Sequence, residues 1–161
     1  TTSFSGIIQN GSATSVALVK NGTGTLTLSG PSSFTGGTTL NTGTINVNSI
    51  NALGGVAGTF TINGGTLNNT TAGNINTVSY PQVWNGDFTF TGAANLNLVT
   101  GNVTINGNRQ VTVSANTLTI GGAISAAAQN LTKAGAGTLS FGSNAVSLNS
   151  LIVNAGTLTS T

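Results

Sequence analysis

The sequence predicts one all-β domain over residues 1–161, wound as a parallel β-solenoid with about 20 residues per coil. Three observations carry this reading. Apolar and polar residues alternate with period two in short bursts. Gly and Asn-Gly pairs separate the bursts. Similar units then recur at a spacing too long for a hairpin and too short for a strand–helix–strand unit.

The bursts run the length of the chain. Thr25-Leu26-Thr27-Leu28, Thr44-Ile45-Asn46-Val47, Thr59-Phe60-Thr61-Ile62 and Asp87-Phe88-Thr89-Phe90 come first. Leu96–Leu98, Val103–Ile105, Val111–Val113, Leu118–Ile120 and Thr138–Phe141 follow. Alternation sends the apolar side chains to one face and Thr or Asn to the other. The predicted inward set is Leu26, Leu28, Ile45, Val47, Phe60, Ile62, Leu67, Phe88, Phe90, Leu96, Leu98, Ile105, Val111, Val113, Leu118, Ile120, Leu139, Phe141, Ile152 and Leu158. Asn21-Gly22, Asn63-Gly64, Asn85-Gly86 and Asn106-Gly107 mark turns, because both residues tolerate positive φ. Ala126-Ala127-Ala128 is the one good helix-forming run, and it is short. Gly24-Thr25-Leu26 recurs 19 residues on as Gly43-Thr44-Ile45, and Gly137-Thr138-Leu139 recurs 19 residues on as Gly156-Thr157-Leu158. A longer repeat overlies these. Leu18–Leu28 matches Leu131–Phe141, and Leu40–Ile45 matches Val153–Leu158, both at an offset of 113 residues.

Composition excludes most chemistry. Thr, Gly, Asn and Ser number 29, 24, 22 and 16, more than half the chain, whereas there are two Lys, one Arg, one Asp and no Glu, His, Cys or Met. One carboxylate cannot form an acid/base pair or a strong Ca²⁺ site. Without His or Cys, the usual zinc ligands and nucleophile–base pairs are missing. The expectation is no enzyme, no metal and no cofactor. The pI of 9.7 rests on Lys20, Arg109 and Lys133, which are too dispersed for a nucleic-acid patch. No run reaches the length of a membrane helix, and Thr1–Gln9 lacks a charged-then-apolar export signal, so the chain reads as a mature product or an excerpt.

The pattern Leu18-x-Lys20-x-Gly22-x-Gly24-Thr25-Leu26-x-Leu28, then Phe34–Leu40, then Gly43-Thr44-Ile45, resembles the autotransporter-associated β-strand repeat, also called the passenger-associated-transport repeat. Residues 18–47 hold a nearly complete copy. Residues 131–158 hold a second, with Ser143–Ser150 in place of the Thr-Gly-Gly-Thr stretch, and Asn85–Ser125 is similar to the spacer between such repeats. The resemblance implies a right-handed parallel β-helix displayed outside the cell. It brings no catalytic residue.

Candidate sites are few. Lys20 and Lys133 hold equivalent repeat positions before a Gly-x-Gly turn and read as solvated turn residues touching corner carbonyls. Asp87 reads as a strand-entry hydrogen-bonding residue, and Arg109 as an outer-surface residue. Tyr80, Pro81 and Trp84 form the one break in the rhythm. Tyr80 and Trp84 are the candidate partner or glycan contacts, since exposed aromatics stack on sugar rings; the alternative is a loop folding its aromatics over a coil. Thr-x-Thr triplets at Thr25/Thr27, Thr59/Thr61, Thr89/Thr91, Thr117/Thr119 and Thr157/Thr159 can align into outward ladders, the pattern of an ice-binding solenoid, or simply serve as exposed strand residues. The expected function is an extracellular stalk or fibre segment of a bacterial surface protein, with head-to-tail filament assembly through open strand edges. An adhesin or glycan-binding module is the alternative, and ice binding a further one. Neither nucleic acid nor membrane insertion is expected.

Overall fold

The computed structural model describes residues 1–160 and bears out the fold class: the strands stack in parallel as a solenoid of about seven turns, each of about 22 residues. Among the described residues no helix forms. The coil is slightly longer than the 19-residue repeats indicate, because those repeats come from its two shortest steps. Leu26 pairs with Ile45, but Thr38 pairs with Phe60 and Phe60 with Gln82.

Three stacks form the faces. The first holds β2 (Leu18–Lys20), β4 (Thr38–Leu40), β6 (Phe60–Ile62), β9 (Gln82–Trp84), β12 (Val103–Ile105) and the starts of β15 (Ile124–Ala134) and β17 (Val146–Val153). The second holds β1 (Thr2–Phe4), β3 (Thr25–Leu28), β5 (Thr44–Val47), β7 (Thr66–Asn68), β10 (Phe88–Phe90), β13 (Arg109–Val113) and the ends of β15 and β17. The third begins only at β8 (Ile75–Asn76) and continues through β11 (Leu96–Asn97), β14 (Thr117–Ile120), β16 (Thr138–Phe141) and β18 (Thr157–Ser160). Earlier coils close that side with loops, under which Phe34 and Leu53 are buried. The alanine run lies inside β15, which passes a corner without leaving the ladder and bulges between Ala126 and Asn130. Pairing holds on both sides of the corner, from Ile124 to Ala126 and again from Asn130 to Lys133.

The predicted core is buried with three exceptions. Leu26 and Leu158 are half-buried, and Ile152 is 40% exposed. Ile152 is a correction of parity. It pairs with outward Thr132, while Leu151 and Val153 extend the inward columns of Leu131 and Lys133. An apolar run such as Leu151-Ile152-Val153 has no alternation to show which residue faces in.

Candidate functional site

Tyr80 and Trp84 are inside the solenoid, at 2% and 0% exposure. Gln82, Val83 and Trp84 form strand β9, so period two puts Gln82 and Trp84 in the interior. Trp84 stands in the inward column Leu40–Ile62–Trp84–Ile105. It packs edge-to-face on Phe88 at 5.0 Å and donates Nε1–H to Gln82 Oε1 at 3.2 Å. The Tyr80 hydroxyl donates to Gly54 O and Ile50 O at 3.1 and 3.3 Å, tying down the 48–59 loop. Burial pushes its phenol well above the ordinary range. Neither ring is presented to solvent, so neither can stack on a sugar; Tyr80 precedes strand β9, and Trp84 fills the interior from the strand itself rather than from a loop. The period-two run Gln82-Val83-Trp84 is the signal that places Trp84.

The two lysines are also inside, not solvated. Lys20 heads the inward column that continues through Leu40 and Ile62, and Lys133 stands between Val111 and Val153. Their exposures are 7% and 0%. Each ammonium curls to the nearest corner and finds three carbonyls. Lys20 Nζ donates to Asn21 O, Gly22 O and Thr42 O at 3.0, 2.7 and 3.2 Å. Lys133 Nζ donates to Ala134 O, Gly135 O and Ala155 O at 2.8, 2.6 and 3.0 Å. In both cages one carbonyl belongs to the next coil, so the lysine fastens two coils together. The expected contact with corner carbonyls is present, but desolvated, and burial lowers the Lys133 pKa. Gly43 and Gly156, both at φ 74°, close the cages, and a Cβ on either would strike carbonyl oxygens at 2.3–2.5 Å. This geometry explains Gly at those two repeat positions.

The remaining charges are structural too. Asp87 Oδ1 accepts from Gln110 N one coil on at 2.8 Å and faces Arg109 Nη1 at 3.9 Å, the strand-entry role expected of it. Arg109 lies on the outside and donates Nη2 to Asn106 O. Among the described residues no three His, Cys, Asp or Glu side chains group as a metal site, and no helix is long and apolar enough to cross a membrane.

Two outer arrays were hidden in the composition. At one corner Asn41, Asn63, Asn85 and Asn106 each donate Nδ2 to the Oδ1 of the asparagine one coil below, ending on Asn21, at 2.6, 2.6, 2.8 and 2.7 Å. On the second stack Thr25, Thr44, Thr66, Thr89 and Thr112 stand in register. The predicted Thr-x-Thr triplets do not form one ladder. Thr61 lies on the first stack, Thr25 and Thr89 on the second, and Thr117 and Thr157 on the third.

The offset repeats build the same corner motif on different faces. Five coils above Leu18 stands Ile124, by way of Thr38, Phe60, Gln82 and Val103. Leu131 lies one strand further, on the second stack. The first lysine cage therefore joins stacks one and two, and the other joins stacks two and three. No curated protein and no solved structure matches the chain. The passenger-associated-transport-repeat model matches residues 18–47 and 131–159, each stretch enclosing one lysine cage. Those two stretches are what the chain shares with the passenger-associated-transport repeat, a repeat linked to autotransporter passenger domains and a β-solenoid fold.

Proposed function

We propose that the chain is a stiff spacer segment of an exported passenger, placed outside the cell, with a mechanical role and no catalytic step. One observation supports this above the others: the ionic and large aromatic groups that elsewhere carry specific chemistry are spent on holding coils together. Lys20 and Lys133 fasten neighbouring coils, Asp87 and Arg109 bridge two more, and Tyr80 and Trp84 fill the interior. Continuous parallel ladders resist bending because every coil is hydrogen-bonded to the next. Each adds about 4.8 Å of length.

End-to-end filament growth is the finer form of this reading. Among the described residues the outer edges of β17 and β18 pair with no further strand, and such edges accept an added strand. Single-molecule stretching with the ends of the purified chain held tests the spacer role. Stepwise release of coils at resolvable force is expected; extension at no measurable resistance would refute it. Sedimentation of the same sample over rising concentration tests the filament, and a species that stays monomeric sinks that part.

A further inference from the structure

The threonine column on the second stack has unused chemistry. Thr25, Thr44, Thr66, Thr89 and Thr112 succeed one another over five coils at a repeat of about 4.8 Å, set by the ladder itself. All five are half-buried, and each is β-branched with one hydroxyl and one methyl on a stiff χ1. Among the described residues no protein group hydrogen-bonds the hydroxyls of Thr25, Thr44, Thr66 or Thr89, and only Gln110 Nε2 reaches that of Thr112. The asparagine corner is the contrast, since its amides satisfy one another coil by coil. A second, shorter column stands on the third stack, Thr117–Thr138–Thr157.

The surroundings narrow the partner. An ionic ligand has little to hold, because both lysines are interior and Asp87 and Arg109 face each other. Trp84 and Tyr80 are buried, and the exposed ring of Phe4 stands in the column of Leu28 at the end of the stack, not among the threonines. An added peptide strand is excluded on this face, because its backbone groups are spent within the sheet. What fits is an extended, uncharged solid whose donors and acceptors recur at the same short interval. The oxygens of an ice surface do so, and the methyls between the hydroxyls hold the intervening water in order. We propose that the second-stack threonine column binds ice. This goes beyond the spacer reading and does not depend on it.

The test is ice-affinity partition and thermal hysteresis of the purified chain, labelled at its N-terminal amine. The chain is expected to concentrate in slowly growing ice and to depress freezing below melting. Thr66→Lys, in the middle of the column, is expected to lose most of both effects with its circular dichroism and Tm retained. Thr61→Lys, outward on the first stack, is expected to keep them. If Thr66→Lys does not fold, the shape-conserving pair Thr44→Val and Thr66→Val carries the same test, with loss of partition expected. Exclusion of the native chain from ice overturns the proposal, as does a column variant that partitions like the native chain. Retention on crystalline cellulose or chitin without ice partition overturns it in favour of a polysaccharide surface.

Discussion

A buried ammonium without a carboxylate is the least expected feature at the scale of single residues. Taking a charge out of water is costly, and three carbonyl oxygens offset that cost only if all three are in place. Replacing Lys133 by Met keeps the apolar stem and strands Ala134 O, Gly135 O and Ala155 O. The expected loss is about 1–3 kcal/mol, because Ala134 and Gly135 are half-buried and Ala155 is exposed, so water takes over part of the lost bonding. Urea unfolding of Lys133→Met against the native chain measures it; a change within error would show that the cage contributes nothing. Sequence reasoning takes a lysine to be solvated, yet Leu18-Val19-Lys20 places Lys20 on the same side as Leu18 by simple alternation. The residue type outweighed the pattern. For Tyr80 and Trp84 the proline leaves both a solvent-facing and a coil-covering reading open, and alternation in β9 decides for the interior at Trp84. Candidate-site residues were therefore visible as departures from the repeat, while their direction depended on pairing that only the fold supplies.

At the scale of the element, strands were well marked and their partners were not. Thr-Leu-Thr-Leu at 25–28 and Phe-Thr-Phe at 88–90 show their inward side directly, and both fall in strands. Which strands share a face depends on loop lengths, so Thr25 aligns with Thr44 and Thr66 rather than with Thr59 or Thr117. The corner between the first two stacks rests on its asparagine column. Asn63 both donates to Asn41 and accepts from Asn85, so Asn63→Ala removes two hydrogen bonds from the middle of the run. Because the site is exposed, the expected cost is about 1 kcal/mol, near the low end for two such bonds. Thermal unfolding measures this against Asn149→Ala, which cuts one bond to Asn130 elsewhere and should cost less.

Over the whole molecule, stability is distributed coil by coil, each depending on its neighbours. Trypsin has three basic residues to cut after, and the folded chain buries Lys20 and Lys133 and anchors Arg109 to Asp87 and Asn106. Cleavage must then await local opening, which is easiest in the outer coils. The expected first cut follows Lys20, whose strand β2 pairs on one side only, with β4. Mass spectrometry of early digests checks this, and a first cut after Lys133 would contradict it. The repeat interval has a further consequence for any longer assembly. From Leu18 to Leu131 the chain climbs five coils and then advances one face more. Copies set at that interval wind about the rod like a coarse screw thread, returning to the starting side only after three.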